Sequence, residues 1–181
     1  MWHRRENRQQ TEKTNINPKY RGGNQFTRLK FEEVIMDNLN EVISDYISKC
    51  HSCTIATVGL DGEPDASTVF FASSSLDIYF NTSKDSRKIK NIEANHRVAI
   101  TMQKNPEPKT DQEISGIQYN GIAKILPESE YTKVPRGVIT RHKAFNSVKP
   151  GNSVIVKVTA TKVYFINYAK GFRHRELLQF S

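Results

Sequence analysis

Between residues 54 and 82 the chain runs through short β-branched and aromatic stretches separated by turn residues. That rhythm restricts the fold more than any other feature. Thr54-Ile55-Ala56-Thr57-Val58 reads as a strand. Asp61-Gly62 marks a turn. A second strand follows over 66–72, Ser73-Ser74-Ser75 is a turn-like break, and 76–82 gives a third strand. Strand, Asp-Gly turn, strand, short turn and strand make an antiparallel meander.

The rest of the chain extends this pattern. Upstream, Phe31, Val34, Ile35, Leu39, Val42, Ile43, Tyr46 and Ile47 repeat at three- and four-residue spacing, an amphipathic helix over 31–49. Downstream, Asp85 or Ser83 caps a short helix with Ile89 and Ile92 on its buried face. Strands are expected over 98–102 and 114–126, with an exposed loop over 104–113 carrying Pro106 and Pro108. Residues 128–145 are mixed and partly helical, broken by Pro135 and Gly137. Pro150-Gly151 is a turn, 154–158 and 163–168 form one or two closing strands, and 171–180 is a C-terminal segment. Five to seven antiparallel strands with few helices point to a mainly β fold with flanking helices. The architecture expected is a closed or nearly closed barrel, which removes exposed edges.

Length and charge bound the partners. With 181 residues, 36% of them hydrophobic, the chain suits one globular domain. The net charge of +8 is concentrated at one end: residues 1–30 hold eight Lys/Arg and two acids, whereas the remaining 151 carry 19 basic and 17 acidic groups. The basic character therefore belongs to a tail over 1–30, expected to be disordered, and not to the domain over 31–181. This distribution argues against nucleic acid as a partner of the barrel; a barrel that binds through the tail would lose that binding when 1–30 is deleted. There is no run of about 18 apolar residues to span a membrane, and Arg4-Arg5 is followed by polar residues, not the apolar core of a secretory signal. A cytoplasmic location is the expectation.

The segment Asn81-Thr82-Ser83-Lys84-Asp85-Ser86-Arg87-Lys88 lies where a strand gives way to a helix. Unpaired amides at a helix start favour an anion. Ser86 adds a hydroxyl donor, Arg87 a bidentate guanidinium and Lys88 a point charge, a set able to hold a phosphate group. A solvated basic first turn is the competing reading of the spacing alone.

Tyr79-Phe80-Asn81-Thr82, Ser86-Arg87-Lys88 and Asn91 through Ala99 together resemble the phosphate-binding segment of pyridoxamine-5′-phosphate-oxidase-like proteins, which bind flavin mononucleotide (FMN). His96 stands where that family usually has Pro. Ile55–Val58, Asp61-Gly62-Glu63-Pro64 and residues 67–71 are similar to the family's first hairpin. Gly116 through Gly121, 163–170 and Gly171-Phe172 are similar to a small bacterial branch of the superfamily. The resemblance covers about residues 31–180. It implies a six-stranded antiparallel split barrel and a homodimer with two FMN sites at the subunit interface. By position, it implies that Ser67, Thr68 and Val69 line the isoalloxazine and ribityl groups, that Asn81 and Thr82 sit beside the flavin, that Ser86, Arg87 and Lys88 hold the phosphate, and that Gln118 comes from the neighbouring subunit. Flavin redox chemistry on a small molecule, with NADH or NADPH as a candidate donor, follows from it. A non-catalytic flavin carrier or stress sensor, or a swap to the deazaflavin F420 or to haem at the same barrel edge, uses the same site. The family's full oxidase carries a C-terminal Arg-x-His motif and a Trp. Here Arg173-His174-Arg175 departs from that motif and Trp2 is the only Trp, which argues against pyridoxamine-phosphate oxidation itself.

Other candidates are weaker. Arg173 and His174 either grip a substrate carboxylate or phosphate or form an exposed turn. His142, between Arg141 and Lys143, reads as part of a solvated face. Cys50-His51-Ser52-Cys53 lacks the second ligand pair of a zinc site and follows a helix, so it reads as small buried residues at a helix–strand junction. The five histidines show no metal-ligand spacing, and no metal is expected. Tyr119, Tyr164, Phe165 and Tyr168 read as packing residues of strands before flavin-stacking ones.

Overall fold

Alternation within the strands sets the architecture. In β1 (Ser52–Val58), Cys53, Ile55 and Thr57 are buried while the residues between them are not. The same two-residue period recurs in β2 (Pro64–Phe70), β5 (Arg97–Met102), β6 (Ser115–Ile125) and most of β7 (Ser153–Asn167), whereas β4 (Asp77–Ser83) buries Ile78, Tyr79 and Phe80 in succession, with Tyr79 in a second cluster beside Ile155 of β7. The short β3 (Ala72–Ser74) and β8 (Arg175–Gln179) complete the sheet. These features come from a computed structural model that describes residues 25–104, 107–134 and 151–180. The expectations for the tail over 1–24, and for Pro106, Pro135, Gly137 and His142, lie outside the described residues.

All pairings are antiparallel, in the order β2-β1-β5-β6-β7-β4-β3, with β8 beside β7. Only Phe71 separates β2 from β3, so the two ends of this path belong to one strand broken at a single residue. The sheet thereby curls into a split barrel. It has eight strands, not six: six positions remain when β2 and β3 are taken as one and the added β8 is set aside. Phe71, Phe80, Tyr119, Ile55, Ile78, Val156 and Val158 fill the interior, all 1% exposed or less. The Tyr119 hydroxyl donates to the carbonyls of Leu76 and Val158, each at 3.0 Å.

Two helices complete the structure. α1 (Gln25–Lys49) begins six residues before the start that its apolar stripe marks, because good helix formers such as Arg28, Leu29 and Lys30 continue it. Residues 25–30, expected as tail, are therefore helical. The chain divides into two units at Ile35/Met36. The described part of the first, 25–35, is helical throughout. In the second, Ile43 and Ile47 are fully buried in the core and Tyr46 stacks 5.1 Å from Phe165. Each buried Ile contributes about 1.5–3 kcal/mol. α2 (Arg87–Ala94) buries Ile89, Asn91 and Ile92.

Several local expectations need correction. Ser73 and Ser74 pair in β3, and the turn falls at Ser75, whose φ is 53°. Ser86, not Ser83 or Asp85, is the N-cap of α2. Of the one or two closing strands expected the structure has one, the 15-residue β7, with a register shift opposite Asn120/Gly121. Part of the C-terminal segment is β8.

Candidate functional site

The hand-off from β4 to α2 is fixed at both ends. Ser83 is the last residue of β4 and pairs with Ser153. Its hydroxyl accepts from the Asp85 amide at 3.3 Å. Lys84 donates from its backbone to Asn152 and from Nζ to the Gly151 carbonyl, so this cation is tied to the neighbouring turn. The Ser86 carbonyl accepts from the Ile89 and Lys90 amides, at 3.0 and 3.3 Å, and opens α2. The amides of Arg87 and Lys88 stand in the first helical positions, which have no intrahelical acceptor.

The Ser86 side chain does not cap the helix. Its Oγ is buried and has no hydrogen-bond partner among the described residues. Arg87 and Lys88 form no ion pair among those residues, and the first turn of α2 has no acid. One buried hydroxyl, two amides with no intrahelical acceptor and two cations that form no ion pair among the described residues thus belong to one turn. Such a donor set suits a dianion and fits the phosphate of FMN.

The other expected residues fall elsewhere. Asn81 and Thr82, half-buried at the end of β4, project to opposite faces of the strand. Ser67 and Val69 share the core-facing side of β2 with Ile55 and Cys53 across from them, whereas Thr68 faces outward beside Thr54. Gln118 also faces outward. The register places Thr68, Thr54, Thr101, Gln118, Tyr164 and Leu177 in one row across six strands. The next row holds Ala66, Ala56, Ala99, Asn120 and Lys162. Over β2, β1 and β5 these two rows of the outer face are small side chains, edged by the exposed Val58, Phe70 and Ile122, while β6, β7 and β8 add Gln118, Asn120, Tyr164, Lys162 and Leu177. Thr68 and Gln118 belong to this face; Ser86, Arg87 and Lys88 belong to the β4–α2 turn.

Arg173 and His174 lie in the bend after β7. Arg173 has φ 60° and stacks 5.3 Å over Phe172. His174 Nε2 stands 3.7 Å from the Glu176 carboxylate, which also accepts from Lys170 at 3.0 Å. An open cleft of about 420 Å³ nearby is lined by Tyr168, Lys170 and Phe172, not by Arg173 or His174.

Two features escaped the sequence. Tyr164 is flanked by Lys162 at 5.0 Å and Arg175 at 5.6 Å, a pairing across β7 and β8. Asn91 is buried in mid-helix and bonded to Thr57; a lone Asn on the apolar side of α2 is the available signal. Cys50 and Cys53 are buried between α1 and β1, as their position implies, and burial pushes the Cys53 thiol up to about 12. Among the described residues no three His, Cys, Asp or Glu side chains are grouped to hold a metal, and no helix is long and apolar enough to cross a membrane.

A curled antiparallel sheet of this order, with a helix entering where β4 ends, defines the split-barrel class. Solved structures agree on the fold. A haem-binding protein from Mycobacterium smegmatis superposes with a TM-score of 0.64 at 14% identity over 75% of this chain; the match spans 56% of that protein's length. General Stress Protein 26 from Bacillus anthracis gives 0.57 at 23% identity, over 78% of this chain and 98% of its own. A haem storage protein from Vibrio cholerae gives 0.53 at 16%, over 66% and 88%. The sequence model of the pyridoxamine 5′-phosphate oxidase family matches residues 39–167, and the chain belongs to that family. No curated protein matches it.

Proposed function

We propose that this chain is an FMN-binding flavoprotein that acts as a homodimer in oxidoreductase chemistry on a small molecule. The observation that carries the reading is the Ser86 hydroxyl, unpartnered among the described residues, beside two amides with no intrahelical acceptor and Arg87 and Lys88, which form no ion pair among those residues. When bound, a flavin supplies hydride and electron transfer, while the protein supplies position and electrostatics. Family membership supports a flavin-type cofactor.

The outer face supports the homodimer. Its central rows are small over β2, β1 and β5, and Phe70 is 55% and Ile122 43% exposed at its margins. A second copy seated there brings its own Gln118 toward the partner's flavin. Thr68, on the same face, faces the incoming subunit. Arg173 and His174 are candidates for the substrate side of the site.

The purified protein should be yellow, or become so on FMN titration, and mass analysis should identify FMN as the released group. A haem Soret band instead would favour haem, which two structurally similar proteins handle. The double variant Arg87→Ala/Lys88→Ala should weaken FMN by roughly 2–4 kcal/mol, since charge-assisted bonds of ~1.5–3 kcal/mol add imperfectly. Unchanged affinity moves the phosphate elsewhere. Anaerobic reduction by NADH or NADPH at a useful rate separates an enzyme from a passive carrier.

A further inference from the structure

Resting on the phosphate reading above, we infer that Asn91 and Thr57 form a clamp that positions the Ser86–Lys88 turn for a phosphate group. Asn91 is 6% and Thr57 1% exposed. Asn91 Nδ2 donates to Thr57 Oγ1 at 3.0 Å and ties α2 to β1 across 34 positions of sequence. Asn91 follows Lys88 by three residues and Arg87 by four, so all three lie on one side of α2.

The apolar anchors of α2, Ile89 and Ile92, are non-directional and leave the helix free to rotate slightly. A side-chain tip about 5–6 Å from the helix axis moves about 2 Å in a rotation of about 20°. That shift breaks a bidentate contact to phosphate. A buried hydrogen bond is directional and costly to leave unmade, so it fixes the rotation that Ile89 and Ile92 do not. The hairpin loop backs the clamp from the other side: a Cβ at Gly59 would stand 3.1 Å from Asn91 Oδ1 and 2.6 Å from Asp61 Oδ1. Asn91 and Thr57 touch no ligand in this account. They are positioning residues that act through Ser86, Arg87 and Lys88.

The test compares FMN with riboflavin, which lacks the phosphate, by fluorescence titration of each folded variant. The unmodified chain should prefer FMN, and Arg87→Ala/Lys88→Ala should erase the preference. Thr57→Val and Asn91→Leu should each reduce FMN affinity about tenfold, as for coupled hydrogen-bonded neighbours, with riboflavin affinity unchanged. Thr57→Ser, which keeps the hydroxyl, should retain the full preference. Full preference in Thr57→Val and Asn91→Leu overturns the clamp while the phosphate site stands. Equal weakening of both ligands also overturns it, since the bond would then be structural only. If the unmodified chain shows no preference, the phosphate reading fails and the clamp falls with it. Should Asn91→Leu not fold, Thr57→Val against Thr57→Ser decides.

Discussion

Ser86→Ala separates a ligand-binding hydroxyl from a structural one because the two predict opposite effects on the ligand-free protein. An N-cap Ser ordinarily costs about 0.5–2 kcal/mol of stability when cut to Ala. Here the hydroxyl makes no capping bond, and its Oγ is buried without a partner among the described residues. A buried, unsatisfied hydroxyl is itself a penalty of about 1–3 kcal/mol, part of which the substitution removes. The ligand-free variant should therefore be as stable as the parent, or more stable by up to about 1 kcal/mol. FMN binding should move the other way. Loss of one charge-assisted bond of about 1.5–3 kcal/mol weakens affinity about 10- to 150-fold. Urea unfolding of the ligand-free protein reads the first quantity, and fluorescence titration with FMN reads the second. Ser86→Thr, which keeps the hydroxyl, should bind like the parent. A loss of more than about 1 kcal/mol in the ligand-free Ala variant would show that the hydroxyl holds the helix start. Unchanged FMN affinity would show that it touches no phosphate. Either result refutes the reasoning.

The remaining predictions concern the barrel and its faces. Gly121→Ala should destabilise by about 2–3 kcal/mol in denaturant unfolding, in the upper part of the range for overpacked cores. Its Cβ would stand 2.6 Å from the Thr159 carbonyl and 2.7 Å from the Tyr119 ring, which two hydrogen bonds hold in place; a loss below 1 kcal/mol, well under ~2, would mean the bulge relaxes freely. Burial raises Cys53 from 9.0 to about 12, so the unfolded chain loses this proton first. Its contribution to stability is complete below pH 9.0 and declines as the pH rises toward 12. The slope is at most about 1.4 kcal/mol per pH unit. Relative to the parent, Cys53→Val should show a shallower fall between about pH 9 and 11; parallel curves would contradict the burial argument. Ala56→Arg, between Ala66 and Ala99 on the small-residue part of the outer face, should turn a dimer into monomers by sedimentation at equal folded content, and a persistent dimer would place the contact elsewhere.

The elements were legible where one local period dominates, and illegible where distant partners decide. The apolar stripe from Leu39 to Ile47 and the β-branched run of β1 are local signals, and both elements stand where they point. β3 is three residues long and exists only because Ala72, Ser73 and Ser74 meet Tyr79, Ile78 and Asp77. Its serines carry turn chemistry, so the local reading gave a break. The cap of α2 went the same way. Ser83, Asp85 and Ser86 are all competent caps, but Ser83 remains in the sheet opposite Ser153 and spends its hydroxyl on Asp85. The outer face was hidden because Thr54 and Ala56 are as small as buried strand residues, and only the register reveals the row that Thr54 shares with Thr68 and Gln118 and the one that Ala56 shares with Ala66 and Asn120.

Strand alternation and helix burial together determine the phosphate turn. Phe80 is fully buried, which commits Thr82 to the same side of β4 and Asn81 to the other. Pairing with Ser153 ends the strand at Ser83. Ile89 and Ile92 must reach the core, so the helix has to begin just before them, and the carbonyl that opens it is that of Ser86. Neither constraint involves the Ser86 side chain. The core therefore sets the backbone of the turn, leaving the hydroxyl, the first two amides and the cations of Arg87 and Lys88 unspent. A site whose backbone is held by Ile89, Ile92 and the Thr57–Asn91 bond can present donors to a ligand without relying on them for the fold. That division of labour is why substitutions at Ser86, Arg87 and Lys88 should change affinity more than stability, and why Gly121 and Cys53 should do the reverse.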